Sequence, residues 1–176
     1  MSDARLATIR GLIRDIPDFP KPGILFKDIT PLLADPKAFN ACLDLLEERF
    51  RGERIDAIVG MESRGFIFGA ALAARMHIAF VPARKPGKLP AKVERIEYAL
   101  EYGTDALEIH TDALQPAERV LVLDDLLATG GTAQATGKLI ERMGAEVVAY
   151  AFVIDLTFLG GAARLEGAPV FSLLEY

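Results

Sequence analysis

One cysteine in 176 residues, Cys42, leaves no partner for an internal disulfide, and such a chain suits a reducing compartment. Basic residues are outnumbered, 20 Lys and Arg against 25 Asp and Glu, for a net charge of −5. That balance leaves no electrostatic footprint for nucleic acid or for an anionic membrane surface. No apolar run is long enough to span a bilayer, and the opening MSDARLATIRGLIRDI has the pattern of neither a signal nor a transit peptide. Repeats, low-complexity tracts and linkers are missing as well. What is present is material for a core: 51% of residues are hydrophobic and mean hydropathy is +0.25. The expectation is one soluble, cytoplasmic domain over residues 1–176, burying roughly 70% of its unfolded surface.

Strand and helix signals alternate along the chain. Ser2 is placed to cap a helix over about residues 3–14. FPKPGILFKDITPLL is apolar but broken by Pro20, Pro22, Gly23 and Pro31, and reads as an extended, irregular arm. Asp35-Pro36 is a helix start, followed by a stripe of Phe39, Cys42, Leu43, Leu46 and Phe50 that makes Cys42 a core residue rather than a nucleophile. Strands are expected at 55–60, 78–83, 119–125 and along VVAYAFVIDL, with helices at 65–76 and 132–144. RKPGKLPAK (84–92) is a basic loop, and the alternation over 96–102 and 106–112 around Gly103-Thr104-Asp105 is a hairpin signal. Buried strands alternating with helices imply an α/β fold: a mostly parallel sheet with helices on both faces, and the hairpin and basic loop as an appendage.

The stretch VLVLDDLLATGGT (120–132) carries the chemistry. A buried strand ends on Asp124 and Asp125, where open α/β sheets bind ligands. The following loop enters a helix, so its N–H groups and the positive end of the dipole face one spot. Thr129 and Thr132 add hydroxyls, and Gly130 and Gly131 allow close backbone approach. A phosphate cradle beside two carboxylates makes sense if the acids address another part of the ligand. A pentose 5-phosphate fits, its hydroxyls lying roughly 5–6 Å from the phosphate, within the ~3.3 Å per residue reach of a short loop. No lysine follows Gly131 as a P-loop requires, and GxGxxG is absent. The bland alternative is a strand end with two solvated acids and a glycine turn.

VLVLDDLLATGGT resembles the phosphoribosyl-pyrophosphate (PRPP) motif of the type I phosphoribosyltransferases. DFPKPGILFKDITPLL, MESRGFIFG, RKPGKLP, LEYGTDALEIH and the tail FSLLEY are similar to the adenine-specific branch of that family along nearly the whole chain. The resemblance implies the type I phosphoribosyltransferase fold with an N-terminal base-binding arm. It implies the reaction too: adenine and PRPP, with Mg²⁺, give AMP and pyrophosphate. By the same resemblance Asp124 and Asp125 hold the ribose hydroxyls, and Ala128, Thr129, Gly130, Gly131 and Thr132 cradle the 5-phosphate. Ser63, Arg64, Arg84, Lys85 and Lys88 hold pyrophosphate, part of the basic loop reaching across a homodimer interface, and a cis Glu62–Ser63 peptide is expected. Leu25, Phe26, Lys27 and Leu156 bind adenine, Leu25 and Lys27 through their main chain, although Phe26 also reads as a plain core aromatic. No protein metal site is expected; Mg²⁺ is held mainly by substrate and water, near Asp124 and Asp125.

Glu101 in LEYG is the candidate for exchanging a proton with the purine, because a partly shielded carboxylate can titrate near neutrality. Ala128 strengthens this choice, since hypoxanthine–guanine relatives carry an aspartate at that place. His77 and His110 read as a helix-end and a strand-surface residue. Two rivals remain open: a phosphoribosyltransferase for another purine such as xanthine, and a PRPP-sensing regulator of the same fold. The regulator would need a DNA-binding domain or basic face that this sequence does not show.

Overall fold

The computed structural model describes residues 4–99 and 104–176. Its contacts divide the chain into two compact units, Met1–Arg49 and Phe50–Tyr176.

In the first unit, helix α1 spans Ala4–Gly11 and ends three residues before the expected boundary. The reason is a competing pairing: Arg14–Pro17 (β1) runs antiparallel to Leu25–Asp28 (β2). Asp18 turns the chain at φ 57, and Phe19–Pro20 is cis. Asp18 Oδ1 accepts the Gly23 N–H at 2.7 Å. The proline-broken arm is therefore an ordered hairpin, stapled by Arg14–Asp28 at 2.6 Å and Lys27–Asp15 at 2.7 Å. The Thr30 N–H, and next the Arg14 guanidinium, hold the Asp28 carboxyl down to about 2. Short helix α2 (Thr30–Ala34) leads into α3 (Pro36–Phe50). Asp35 caps α3 as expected, its Oδ1 accepting the Lys37 and Ala38 N–H groups at 2.9 and 3.0 Å. Cys42 is fully buried on the inner stripe, and burial pushes its thiol up to about 12, which suits a core residue.

The second unit is built on a five-stranded sheet with the order β4-β3-β7-β8-β9. The strands are β3 (Ala57–Met61), β4 (Ala79–Ala83), β7 (Arg119–Leu127), β8 (Glu146–Asp155) and β9 (Val170–Glu175). All neighbours are parallel. Helix α4 (Gly65–Met76) links β3 to β4 with the bounds the sequence suggests, and α5 (Gly131–Arg142) links β7 to β8. The two crossovers leave the middle of the sheet in opposite directions, so right-handed connections put the helices on opposite faces. The packing agrees. Gly69 of α4 faces Ile58 and Phe80, whereas Leu139 and Ile140 of α5 join Ala57, Val59 and Val122. Val93–Ala99 (β5) and Thr104–His110 (β6) form an antiparallel pair, and Ile96, Leu107 and Ile109 close the core on the α5 side. Thr104 and Asp105, expected in the turn, are strand residues. His77 ends α4 in the left-handed region, and His110 closes β6, as expected.

Because β3 and β7 are neighbours whose connections diverge, the cleft beyond their carboxyl ends is the topological switch point of the sheet.

Packing around α5 is tight enough to test. A Cβ on Gly137 would strike the Tyr150 hydroxyl, with Cζ 3.1 Å away, and Tyr150 is a buried core residue. Alanine is favoured over glycine inside a helix by about 1 kcal/mol, but overpacking costs about 1–3 kcal/mol. Gly137→Ala is therefore expected to lower the urea midpoint. Adding Tyr150→Phe, which removes the obstructing oxygen, should recover most of the loss; no recovery would show that the contact is not the cause.

Candidate active site

Two segments converge at the switch point. After β3 come Glu62, Ser63 and Arg64, with the Glu62–Ser63 peptide in the cis form. Asp124 and Asp125 lie within β7, which does not end on them as expected but runs on to Leu127, still paired with β8. Arg64 Nε lies 2.9 Å from Asp125 Oδ2 as an ion pair, Asp125 being almost fully buried. The contact is not aligned as a hydrogen bond, so that oxygen lacks a hydrogen-bond partner among the described residues. Asp124 Oδ1 accepts the Asp125 N–H at 2.8 Å. Gly65 makes this approach possible: a Cβ there would lie 2.8 Å from Leu123 O and 2.9 Å from Asp124 Oδ1.

Burial pushes the Asp124 carboxyl well above the usual range, and the neighbouring Asp125 charge adds to this. Burial also raises Asp125, with the Arg64 charge working against it. The pair is acceptor-rich and poorly solvated, ready for hydroxyl donors or a hard cation.

The adjoining loop closes a cavity of about 100 Å³ lined by Asp124 and by Ala128, Thr129, Gly130, Gly131 and Thr132. Gly130 takes φ 80 as the N-cap of α5, whose first turn carries no acidic side chain. Backbone N–H groups, two threonine hydroxyls and an unopposed helix dipole fit a phosphate.

One support of this loop carries no local sequence signal. The turn Gly161–Arg164 packs directly on it: a Cβ on Gly130 would lie 2.5 Å from Gly161 O, and one on Gly161 would overlap Ala128 O. Gln134 Nε2 also donates to Arg164 O at 3.0 Å. A glycine in a weakly patterned tail declares such a contact only once the chain is folded.

The basic loop is anchored by acids. Glu62 Oε2 accepts the Lys85 N–H at 2.9 Å and Arg84 Nε at 3.3 Å. The Lys85 N–H is the main cause holding the Glu62 carboxyl below its usual value; partial burial works the other way, and Arg84 adds to the lowering. Buried Glu108 accepts the Gly87 N–H at 2.9 Å, and Arg84 Nη1 donates to Lys88 O at 3.2 Å. The Lys85 ammonium pairs with Asp105. Arg84 and Lys85 are thus tied together through Glu62, with Asp105 on the Lys85 ammonium, whereas Arg64 pairs separately with Asp125.

The remaining candidates are spread over both units. Leu25, Phe26 and Lys27 lie on β2, with Leu25 half exposed. Phe26 meets Phe19 edge-to-face at 5.1 Å. The Lys27 side chain is buried on Asp15. Leu156 follows β8, its N–H donating to Leu127 O at 2.9 Å. Glu101 lies outside the described residues. No group of three or more His, Cys, Asp or Glu that could hold a metal is found among the described residues.

A five-stranded parallel sheet flanked by helices, with an acid pair and an anion loop at its switch point, defines the phosphoribosyltransferase class. Residues 28–162 match the phosphoribosyl transferase domain family. An adenine phosphoribosyltransferase of Sorangium cellulosum is 57% identical over 180 residues, covering 99% of this chain and 90% of the relative. The crystal structure of adenine phosphoribosyltransferase from Thermoanaerobacter pseudethanolicus superposes with a TM-score of 0.95 at 53% identity, covering 97% of this chain and 99% of that one. The Saccharomyces cerevisiae enzyme, solved with an imino-altritol bisphosphate and adenine, gives a TM-score of 0.92 at 42% identity, with 97% and 99% coverage. The chain belongs to the adenine phosphoribosyltransferase family.

Gly161 offers a test of the loop's support. Gly161→Ala must displace backbone at Ala128, and a misplacement of about 1 Å can cost on the order of 10²-fold. Affinity of the folded protein for ribose 5-phosphate, measured by calorimetry well below its melting temperature, is expected to fall at least about tenfold. The melting temperature should fall as well, because the clash is with backbone. Unchanged affinity would remove Gly161 from the site.

Proposed function

We propose that this chain transfers the 5-phosphoribosyl group of PRPP to adenine, giving AMP and pyrophosphate, as a step of purine salvage. The observation that carries the proposal is the pairing of a desolvated acid pair with an anion-binding loop at the switch point, in a chain of this family.

Breaking the C1–O bond leaves an oxocarbenium-like sugar and a departing pyrophosphate, so the site's work is to position both and to stabilise charge. Asp124 and Asp125 accept the ribose 2- and 3-hydroxyls, and Ala128 to Thr132 hold the 5-phosphate. Ser63, Arg64, Arg84 and Lys88 surround the pyrophosphate. Adenine is held by main-chain groups of Leu25 and Lys27, by Phe26 and by Leu156. Sequestration of the Lys27 ammonium by Asp15 supports a main-chain role. Glu101 exchanges a proton with the purine. The hard oxygens of Asp124 and Asp125, among them Asp125 Oδ2, which is ion-paired with Arg64 but accepts no hydrogen bond among the described residues, would help substrate and water to hold Mg²⁺. When bound, Mg²⁺ supplies charge neutralisation on the leaving group. The working form is a cytoplasmic homodimer, without nucleic-acid or membrane partners; no helix is long and apolar enough to cross a membrane among the described residues.

Incubating PRPP and Mg²⁺ with adenine, hypoxanthine, guanine or xanthine while following pyrophosphate release tests the reading. Release with adenine alone is expected; release with xanthine instead would reassign the base, and PRPP binding without turnover would point to a regulator.

Ionised Asp124 and Asp125 are needed to accept diol protons, yet burial raises both carboxyls in the free protein. Binding PRPP with Mg²⁺ should therefore release protons, and affinity should fall as the pH drops through the raised values. For stability the sign is opposite: burial that raises a carboxyl disfavours the folded, ionised state, and this penalty eases as pH falls. Calorimetry in buffers of different ionisation heat checks the proton count. Asp125→Asn should reduce the release and weaken PRPP far more than adenine.

Glutamine at 101 keeps the size but cannot transfer a proton. Glu101→Gln is expected to lower kcat by about 10²–10⁴-fold and to remove one limb of the pH–rate profile, while Glu97→Gln leaves both limbs. Wild-type kcat in Glu101→Gln would end the assignment.

A further inference from the structure

Lys85 was expected to face pyrophosphate, but its ammonium is engaged elsewhere. It pairs with Asp105 Oδ2 and lies 3.5 Å from the Tyr98 hydroxyl, near the face of that ring. Tyr98 and Asp105 are direct cross-strand partners on β5 and β6. On its far side the Tyr98 hydroxyl sits 3.3 Å from Thr132 Oγ1, the last hydroxyl of the cradle. A continuous set of polar contacts therefore runs from the basic loop, across the hairpin, to the phosphate loop.

Donor and acceptor capacity decides which way this set points. An ammonium only donates, a phosphate oxygen without its proton only accepts, and a hydroxyl has a single proton to give. With phosphate in the cradle the Thr132 proton is committed to it, so Thr132 Oγ1 must accept. Its donor is Tyr98, and the Tyr98 oxygen is then left to accept from Lys85. In the free protein the Tyr98 hydroxyl donates to Asp105 Oδ2 at 3.3 Å; turning that proton to Thr132 leaves Asp105 with its other donors. Its Oδ2 already receives Lys85, and its Oδ1 accepts the Ala106 N–H at 2.8 Å. Hydrogen bonds aligned head to tail polarise one another, by about 10–30% per bond.

We propose that Lys85 serves the 5-phosphate end of the substrate through a one-way relay: Lys85 N–H to Tyr98, Tyr98 O–H to Thr132, Thr132 O–H to phosphate. Asp105 and Tyr98 are positioning residues: Asp105 holds the ammonium at the head of the relay, and Tyr98 passes its polarisation on. The inference rests on the function proposed above, which places a phosphate in this loop.

AMP separates this role from a pyrophosphate clamp, because it carries the 5-phosphate and no pyrophosphate. Calorimetric titration of AMP, and separately of pyrophosphate with Mg²⁺, is made on the wild type, Tyr98→Phe, Lys85→Met, Thr132→Val and paired variants. Tyr98→Phe and Lys85→Met should each weaken AMP by about 3–10-fold, the worth of one hydrogen bond. The pair together should be no weaker than the poorer single variant, and Tyr98→Phe should have no effect in a Thr132→Val background. A general loosening of the hairpin would not vanish in that background, and melting temperatures near wild type exclude misfolding as the cause. Unchanged AMP affinity in both single variants, or fully multiplicative losses in the pair, would overturn the relay. A loss confined to pyrophosphate in Lys85→Met would overturn it too and return Lys85 to the clamp. Failure of the wild type to bind AMP at all would instead overturn the proposed function, and the relay with it.

Discussion

Asp124 and Asp125 are adjacent in β7, just short of its carboxyl end at Leu127, and burial opposes the ionisation of both, the Asp125 charge adding to the effect on Asp124. Everything around the switch point can be read as a response to that constraint. Arg64 supplies the opposing charge, and it can do so because Gly65 lets the start of α4 sit against the Leu123–Asp124 backbone. The helix dipole of α5 points its positive end at the same place, with no acidic side chain in its first turn to cancel it. A ligand that brings hydroxyl donors to the acids and a phosphate to the loop relieves both sides at once. Neither half would be well satisfied by a ligand that matched only the other.

The cations are handled by the reverse logic. A loop reading RKPGK, left alone, would be a solvated and mobile set of charges whose ordering on a substrate carries a large entropic penalty. Here Glu62 and Glu108 grip its backbone N–H groups, and Glu62 and Asp105 pair with Arg84 and Lys85. Partial burial, the largest single influence, works to raise the Asp105 carboxyl and to lower the Lys85 ammonium, yet their contact together with Tyr98 and the Ala106 N–H leaves Asp105 lowered and Lys85 raised. These pairs are partly exposed, so their value lies less in stability than in fixing where positive charge stands before substrate arrives.

How much of this the sequence disclosed depended on the range of the interaction. The bounds of α4, the Asp35 cap and the central strands are set by local pattern, and each was readable. The β1–β2 hairpin was missed because its turn, with Asp18 at positive φ and a cis proline, follows no short-range signal. Strand β9 carries no strong signal of its own, because its pairing with β8 is decided by the sheet and not by its six residues. At the site, Asp124, Asp125 and the ATGGT loop were legible because acids, hydroxyls and glycines are contiguous, although β7 runs past the acids to Leu127 through its pairing with β8. Tyr98, Asp105 and Gly161 were not legible. Their contacts with Lys85, Thr132 and Ala128 join residues from 13 to 34 positions apart.

Lys85 lies on the far side of that division. A lysine in a basic loop invites an electrostatic reading, since its charge is visible in the sequence and its partner is not. Folding supplies a carboxylate and a phenol as partners, and the phenol touches a hydroxyl of the anion loop. A point charge acting through space would be indifferent to which oxygen stood between it and the phosphate. A hydrogen-bonded ammonium is not, because its donors fix the proton order of every hydroxyl downstream. Under the proposed relay the chemical meaning of the lysine is set by the hairpin that holds it, and the hairpin becomes part of the proposed phosphate site rather than an ornament on the sheet.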